Sequence, residues 1–421
     1  MTIIKQPSCN DSFEQGAITV AEAVSGILAA TPVIAEYQKR PLRDCLHGIL
    51  FDDIKSPCEV PAHNNSAMDG YALWSADLPV TSSRPFQVIG TAFAGKPFSG
   101  SCQKNQCVRI MTGAMLPPNT DTIVIQEDVR VLDAEHVEIG VGHRKNQNLR
   151  FAGEDIQQGA TVLKKGSAIN AAELGVLASL GINEMPIYRK PRVSFFSTGD
   201  ELKSLGETLQ TGEIYDSNRY SLYGLLSSCN VDIIDMGVVR DEPETIRQTL
   251  LAAARCSDVI LTSGGVSVGE ADYIKAILQD IGSMDFWKIL MKPGRPLTSG
   301  RIDDALFFGL PGNPVAVMVT FYQFVLPCLK KLRGLPHKEV LTLKARTQTA
   351  IRKNPGRREF QRAIASTDAD GNLQVALTGK QGSGILTSMS QANCFMVLGE
   401  ECGPVEAGSQ VDIQFFTHYF D

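Results

Sequence analysis

The chain has 421 residues, more than one compact core usually holds, so we expect roughly two to four domains. Hydrophobic residues make up 43% and charged residues 20%, which is ordinary for a soluble globular protein. The formal net charge of -6 argues against general nucleic-acid binding, because that function needs a basic surface. Any anionic ligand must therefore be met by a local cluster of basic residues.

The first predicted element is a helix over residues 19–28. Thr19 is its expected N-cap, and Glu22 follows in the capping-box position. A second amphipathic run covers residues 43–54, and a later helix is predicted over residues 171–180.

Between these helices the sequence changes to short β-type runs separated by turn residues. This pattern predicts a small β-rich module over residues 57–147. Its strands are expected at residues 86–89, 107–111 and 122–126.

From residue 191 the pattern alternates between strand and helix. The clearest helix covers residues 243–255 and begins with Pro243, where a missing N–H costs nothing. Such alternation predicts a mostly parallel sheet with helices on both faces. The strands are expected at residues 192–197, 232–239, 258–262, 286–291 and 305–310.

The last part of the chain, from about residue 337, again shows short strands and turns, which predicts a small β-barrel. The whole is thus expected to be a multidomain α/β protein. The predicted parts are an N-terminal linker domain (1–56 and 148–190), the β-rich module (57–147), the α/β domain (191–335) and the C-terminal β domain (336–421).

The remaining composition narrows the class of protein. The ten cysteines form no C-x-x-C pair and are interpreted as reduced thiols, and the six scattered histidines argue against zinc. No signal peptide is expected. The longest apolar run, residues 315–329, is interrupted by Gln323 and Pro327 and is predicted to be too short to cross a bilayer. We expect a cytoplasmic protein without membrane partners.

The most informative segment is LTSGGVSVGEADY, residues 261–273. Its apolar run ends in Gly264 and Gly265, and a helical pattern follows. Backbone N–H groups and a helix N-terminus then point at one spot, which favours an anion. The loop adds the hydroxyl of Ser267 and the carboxylate of Asp272, so it is suited to a phosphorylated ligand with a metal ion or a proton.

Two further loops resemble it in placement. Residues 197–201, 262–269 and 309–314 all follow predicted parallel strands. Ligands bind beyond the carboxyl ends of such strands. Turn formation alone explains any one of these loops, but three at one edge favour a site.

A run of basic residues supports anion binding. Between residues 288 and 301 there are four basic residues and no acidic one: Lys288, Lys292, Arg295 and Arg301. In one extended strand, Lys288 and Lys292 would share a face. Taken alone, these lysines are explained equally well as residues of a solvated strand edge. The nearby glycine loops favour the other interpretation, in which lysine supplies a point charge for phosphate.

Carboxylates follow the same strand ends, at Glu201, Asp241 and Asp272. Mg²⁺ is commonly held by one or two protein carboxylates together with phosphate oxygens. A carboxylate at a helix start also simply complements the helix dipole, so the two explanations remain open.

Residues 265–269 also match the G-x-S-x-G nucleophile elbow. In this alternative the chain is a serine hydrolase and Ser267 is the nucleophile. The later histidines are His337 and His418, in or near the C-terminal β segment, and the paired glycines make a looser loop than an elbow.

Taken together, these loops resemble the MoeA/gephyrin family of molybdopterin molybdenumtransferases. The motif SAMDGYA is nearly diagnostic, and SGGVSVGEADY and GLPGNP are specific. The matching stretches, in family order, are residues 65–72, 109–114, 153–155, 196–202, 214–219, 263–273, 292–296, 309–314, 357–362 and 381–383. The family often has lysine where this chain has Arg295.

The resemblance implies that molybdate is inserted into adenylylated molybdopterin with the help of Mg²⁺, that AMP is released and that the product is passed to molybdoenzyme assembly proteins. It implies a homodimer whose cleft lies between the α/β domain of one subunit and the β-rich module of the other. Asp69, Glu201, Asp241 and Asp272 are the implied catalytic residues, and the last three are the metal ligands. The substrate-binding residues expected from the motifs and the loops are Thr112, Asp155, Ser263, Gly264, Gly265, Ser267, Lys288, Lys292, Arg295, Pro311, Pro314, Arg362 and Ser383.

Two other functions remain open at this point. A molybdopterin adenylyltransferase of the related single-domain fold would share the α/β segment, although it would not need the SAMDGYA module or the C-terminal domain. A non-enzymatic scaffold role, as gephyrin has in animals, belongs to a different class.

Overall fold

The computed structural model describes residues 16–264 and 272–416, without the side chains of residues 272–275 and 286. Two compact units make up the chain. The α/β unit comprises Met1–Lys39, His47–Ile49 and Pro186–Asp421, and the β-rich unit comprises Arg40–Leu46 and Leu50–Met185. The domain boundaries expected from the sequence remain predictions.

The helices begin where the capping signals place them. Thr19 Oγ1 accepts from the backbone N–H of Glu22 at 3.2 Å, and Thr19 N–H donates to the Glu22 carboxylate at 2.7 Å, which confirms the capping box. A π-helical segment, Phe321–Val325, joins two short α-helices, Pro314–Thr320 and Leu326–Leu332. The helices are α1 Val20–Ala30, α2 Ala171–Ser179, α3 Ser217–Ser227, α4 Pro243–Cys256, α5 Asp272–Ile281, α6 Pro314–Thr320, α7 Leu326–Leu332 and α8 Thr387–Gln391.

The strands fall into three groups along the chain. The first group is β1 Tyr37–Pro41, β2 Ile54–Lys55, β3 Asn65–Ser66, β4 Gly70–Leu73, β5 Arg84–Ala92, β6 Gln106–Ile110, β7 Thr122–Ile125, β8 Val129–Val131, β9 His136–Ile139, β10 Leu149–Arg150, β11 Thr161–Leu163 and β12 Glu184–Tyr188. The second is β13 Arg192–Thr198, β14 Leu202–Lys203, β15 Ile214–Tyr215, β16 Asp232–Val239, β17 Val259–Ser263, β18 Gly282–Lys288, β19 Met291–Lys292, β20 Pro296–Ile302 and β21 Ala305–Leu310. The third is β22 Leu343–Thr347, β23 Arg358–Thr367, β24 Leu373–Leu377, β25 Cys394–Leu398 and β26 Gln410–Phe415.

The β-rich unit is built on a six-stranded sheet in the order β7-β4-β6-β5-β9-β8. Successive residues of a strand face opposite sides, and both sides are covered here. Tyr71 and Leu73 enter one apolar core, and Ala72 enters another. The predicted β-rich texture is therefore confirmed.

The helix predicted over residues 43–54 is wrong. Only a 3₁₀ turn, Leu42–Cys45, forms there. His47 takes a left-handed conformation with φ of 62°, which interrupts a helix. The N–H of Leu50 instead donates to the carbonyl of Ser167 at 2.9 Å, so the buried apolar residues are held by an extended segment.

The α/β unit contains a six-stranded sheet in the order β16-β13-β17-β21-β20-β18. The first four strands are parallel, as predicted, and β20 and β18 are antiparallel. β20 was not expected, because PLTSGRI has no strand-like run of apolar residues. Helices cover both faces: α4 and α5 pack on one core, and α1, α3, α6 and α7 pack on the other.

The continuous helical segment Pro314–Leu332 is 19 residues long, with a mean hydropathy of 1.4. The helix extends beyond the apolar run 315–329, so that its length and composition alone would suit a membrane span. Its apolar residues are used in the core instead, since Val317, Val319 and Phe324 are fully buried against the sheet and α1. We interpret it as the central helix of the α/β unit.

The C-terminal strands close on themselves in the order β23-β24-β22-β26-β25, and β25 pairs with β23 to complete a five-stranded barrel. This confirms the small β-barrel. β19, which belongs to the preceding segment, pairs in parallel with β23 outside the barrel.

Gly70, in the SAMDGY turn, allows β4 and β7 to approach closely. A Cβ at this position would lie 2.1 Å from the carbonyl oxygen of Val124. We predict that Gly70→Ala destabilises the protein by about 1–3 kcal/mol, because backbone must shift to admit the methyl group. Gly140→Ala is the control, since its Cβ would meet nothing within 4 Å. Equal midpoints of thermal unfolding for the two variants would contradict this account.

Candidate functional site

In the β-rich unit, Asp69 and Thr112 join two of the motifs. Asp69 Oδ1 accepts from both the backbone N–H and the hydroxyl of Thr112, each at 2.7 Å. These hydrogen bonds, with a smaller contribution from Arg109, hold the pKa of Asp69 below its usual range. Asp69 is therefore a fixed, partly exposed carboxylate rather than a turn residue that satisfies only its own backbone.

Asp155 lies in the same unit but is not joined to this pair. Its N–H donates to the carbonyl of Val60 at 3.1 Å, and the residue is exposed.

In the α/β unit, the parallel register brings the strand-end loops together. Ser197 pairs with Ser263, and Ser263 pairs with Leu310, so β13, β17 and β21 end side by side. The loops that follow these strands therefore start at one edge of the sheet, as predicted. Residues 265–271, which include Gly265 and Ser267, lie outside the described residues.

Gly264 makes the turn after β17 and has φ of 92°. A Cβ there would lie 2.4 Å from the carbonyl oxygen of Thr198. Both the left-handed conformation and the close approach require glycine at this position.

Asn218 ties two of these loops together. Its Nδ2 donates to Ser263 Oγ at 2.8 Å and to the carbonyl of Gly312 at 2.7 Å. Asn218 belongs to the matched stretch 214–219, yet the sequence assigned it no role. The signal available was its place in the first turn of a helix that Asp216 caps, with a 3.1 Å bond from Arg219 N–H.

Several buried polar atoms at this edge make no hydrogen bond to the described part of the protein: Ser197 Oγ, Thr198 Oγ1, Asp216 Oδ2 and Asn218 Oδ1. Buried polar groups in proteins are rarely left unsatisfied, since each costs about 1–3 kcal/mol. We interpret their concentration at the strand ends as the sign of a candidate ligand site at this edge of the sheet.

The expected metal ligands lie on adjacent loops. Thr198 pairs with Val239, so the segments that carry Glu201 and Asp241 follow neighbouring strands. The N–H of Asp241 donates to Asp200 Oδ1 at 3.4 Å. Asp272 begins α5, and its side chain is not described.

Hard carboxylate oxygens of this kind suit Mg²⁺. No group of three or more metal-ligating side chains occurs among the described residues. Glu201 and Asp241 supply such carboxylates on the loops that follow two neighbouring strands, and their role as metal ligands stays a prediction.

The GLPGNP loop is bound to the C-terminal domain. Pro311 follows β21, and Pro314 opens α6. The next residue, Val315, donates its N–H to the carbonyl of Ser383 at 3.0 Å. This bond places the loop that carries Ser383 beside the same edge of the sheet.

Arg362 is buried, with 1% of its surface exposed. It donates to the carbonyl of Gly382 and to Ser388 Oγ, each at 3.0 Å. Burial lowers the pKa of Arg362 to about 10. Its described contacts support the Ser383 loop, and a direct contact with substrate stays a prediction.

The predicted shared face of Lys288 and Lys292 is wrong. Lys288 ends β18 in the α/β sheet, whereas Lys292 lies in β19, which pairs with the barrel. Arg295 lies between β19 and β20, where its carbonyl accepts from the N–H of Ile289 at 2.8 Å.

Comparison with known proteins agrees with this geometry. Family models match along the chain: "MoeA N-terminal region (domain I and II)" over residues 18–181, "Probable molybdopterin binding domain" over 194–331 and "MoeA C-terminal region (domain IV)" over 344–416. The chain belongs to the MoeA family.

Individual relatives are similar over most of their length. A molybdopterin molybdenumtransferase of Haemophilus influenzae is 40% identical over 95% of this chain and 99% of its own. One of Bacillus subtilis is 32% identical over 88% of each chain. The crystal structure of a molybdopterin biosynthesis MoeA protein from Pyrococcus horikoshii OT3 has a TM-score of 0.82 and 27% identity, covering 95% of this chain and all of that one.

We predict that Asn218→Ala loosens the GLPGNP loop, because it removes both hydrogen bonds that hold Gly312 and Ser263 to α3. Each bond contributes about 0.5–1.5 kcal/mol. Hydrogen exchange in the peptide that covers residues 309–314 should become faster. Ser227→Ala, on the same helix with only a local bond to the Tyr223 carbonyl, is the control. Unchanged hydrogen exchange in Asn218→Ala would show that the two Asn218 hydrogen bonds do not restrain the loop.

Proposed function

We propose that this protein is a molybdopterin molybdenumtransferase, which inserts molybdate into adenylylated molybdopterin and releases AMP to form molybdenum cofactor. The observation that carries the proposal is the junction of three strand-end loops, tied by Asn218, at the carboxyl edge of the α/β sheet. The names of relatives that are 31–40% identical over most of the chain support the same reaction.

The residues at this edge suit the substrate. Its pyrophosphate needs donors, and glycine turns and helix starts supply backbone N–H groups. Lys288 and Lys292 supply positive charge for phosphate or molybdate. The buried acceptor oxygens of Asp216 and Asn218 suit N–H groups of a polar ligand.

Mg²⁺ held by Glu201, Asp241 and Asp272 together with the phosphates would neutralise charge that develops as AMP leaves. The protein's own contribution is to keep the carboxylates at adjacent strand ends and to fix the loops around them. We also include a homodimer, a cytoplasmic location and transfer of the product to molybdoenzyme assembly proteins in the proposal.

The other functions lack support. A serine hydrolase would need a histidine near Ser267, and the relatives described above are named molybdopterin molybdenumtransferases. A single-domain adenylyltransferase would leave the matched N-terminal and C-terminal regions without a purpose.

We predict that Glu201→Ala and Asp272→Ala abolish molybdate-dependent AMP release without unfolding the protein. Each substitution removes a carboxylate that is expected to hold the metal ion, and the metal ion stabilises the negative charge that develops on the phosphates as AMP leaves. The assay combines adenylylated molybdopterin, molybdate and Mg²⁺ and follows AMP. Ser267→Ala tests the hydrolase alternative: because Ser267 is expected to contact the substrate and not to act as a nucleophile, most of the AMP release should remain at saturating substrate. Near-normal turnover in both carboxylate variants would remove the metal-site assignment, and loss of activity in Ser267→Ala with fluorophosphonate labelling of the wild type would favour the hydrolase.

A second prediction concerns Asp69, which lies in the other unit from Asp272. If two subunits of a homodimer share each site, Asp69→Ala and Asp272→Ala homodimers are both inactive, but mixing them restores activity. Each mixed dimer then has one site with both carboxylates intact. At full exchange about half the dimers are mixed, so activity should approach about a quarter of wild type.

Subunit exchange is verified separately with a tagged subunit. No recovery despite demonstrated exchange would mean that both carboxylates act within one chain, and the shared-site proposal would be wrong.

A further inference from the structure

Lys292 has an acidic neighbour that its own segment of sequence does not contain. β19 and β23 pair in parallel with Lys292 opposite Glu359, which places both side chains on one face of the sheet. The Lys292 Nζ lies 3.5 Å from Glu359 Oε1. The basic run from Lys288 to Arg301 is therefore not free of negative charge once the barrel is in place.

The two partners differ in how firmly they are held. The Glu359 side chain is 10% exposed, and the Lys292 side chain is 61% exposed. Gln361 Nε2 donates to Glu359 Oε2 at 2.7 Å and fixes the carboxylate. The ammonium is thus the movable partner, and the carboxylate is the fixed one.

The contact is also long. Charge-assisted N–H···O bonds are typically about 2.7–2.9 Å. An ammonium has three donors, so Lys292 can face an anion on its exposed side while the carboxylate remains behind it. An anion that binds Lys292 closely must compete with Glu359 for the same charge.

We propose that Glu359 is a positioning residue that holds the Lys292 ammonium beside β23 and limits how tightly it binds oxyanions. This rests on the proposed function, in which Lys292 contacts molybdate or phosphate. The consequence is a site in which inorganic oxyanions bind and leave readily until the organic substrate adds its own contacts. Glu359 does not itself touch the substrate in this account.

The main test measures molybdate in two ways with Glu359→Gln, which keeps the shape and the hydrogen bond to Gln361. Equilibrium dialysis gives the Kd for molybdate, and AMP release gives its KM and kcat. We expect both Kd and KM to fall about threefold with kcat unchanged, since a unit charge roughly 7 Å from the anion, beyond the ammonium, changes binding in water by about that factor. Inhibition by sulfate should strengthen by a similar factor.

Glu400→Gln is the matched control. It removes another carboxylate of the same domain, which pairs with Arg358 at 3.2 Å, next to Glu359 in the chain. We expect wild-type molybdate dependence from this variant. Thermal unfolding of both variants checks that they are folded, and Glu359→Asp, which draws the carboxylate away from Lys292, should give an intermediate effect.

Lys292→Ala shows whether Glu359 acts on molybdate affinity through its pairing with Lys292 or only through the net charge of the site. The loss of molybdate affinity in Lys292→Ala should be larger when Glu359→Gln is already present, because the unpaired ammonium binds the anion more strongly. Additive effects would overturn the pairing, and so would wild-type affinity in Glu359→Gln.

The measurements distinguish failure of the proposal about Glu359 from failure of the proposed anion contact of Lys292. If Lys292→Ala raises the molybdate KM but Glu359→Gln changes nothing, the role of Glu359 is wrong and the anion site stands. If Lys292→Ala leaves the molybdate dependence unchanged, the anion contact of Lys292 is itself wrong, and the role of Glu359 falls with it.

Discussion

The register of the parallel strands is the constraint on which the rest of the site depends. Ser197, Ser263 and Leu310 lie in one row across β13, β17 and β21. Each is at or next to the last residue of its strand, so three loops from distant parts of the chain emerge together. A one-residue slip of β17 would turn its buried residues to the other face of the sheet. The slip would exchange the side chains of β17 between the two apolar cores, and close-packed interiors resist such a change of side-chain volume.

Hydrogen bonds from side chains and from the backbone then keep the loops where the strands leave them. Asn218 holds the end of β17 to the GLPGNP loop, and Ser383 holds the start of α6 to the barrel domain. Arg362 acts one step further away, through the carbonyl of Gly382. The barrel domain therefore contributes to the candidate site through contacts that a single-domain relative of the α/β fold would lack.

Much of this fold follows from the sequence because the periodicity is strong. β16 and β21 have the bounds that alternation predicts, and the capping box of α1 forms at Thr19. Prediction from the sequence fails where a strand forms only by pairing with distant segments, or where the backbone conformation of one residue interrupts a helix. The apolar spacing after residue 43 resembles a helix until the left-handed His47 interrupts it, and the polar β20 is a strand only because β18 and β21 lie on either side of it.

The residues of the candidate site were likewise predictable from the sequence only in part. Motifs identify Asp69 and Ser263, since these lie in glycine turns that the sequence makes visible. They do not identify Asn218 or Glu359, whose proposed roles depend on contacts with residues 45 and 67 positions away in the chain. The spacing of Lys288 and Lys292 suggested one strand, and tertiary pairing placed them in two sheets. Contacts of this kind are set by packing and cannot be inferred from local spacing.

The most direct measurement of the central claim is a single turnover with the wild-type protein, adenylylated molybdopterin, Mg²⁺ and molybdate. AMP is measured by chromatography, and molybdenum retained in the organic product is measured by mass spectrometry. The account predicts one molybdenum retained for each AMP released, and no comparable release when molybdate is omitted. AMP release at the same rate without molybdate, or release without molybdenum in the product, would contradict it.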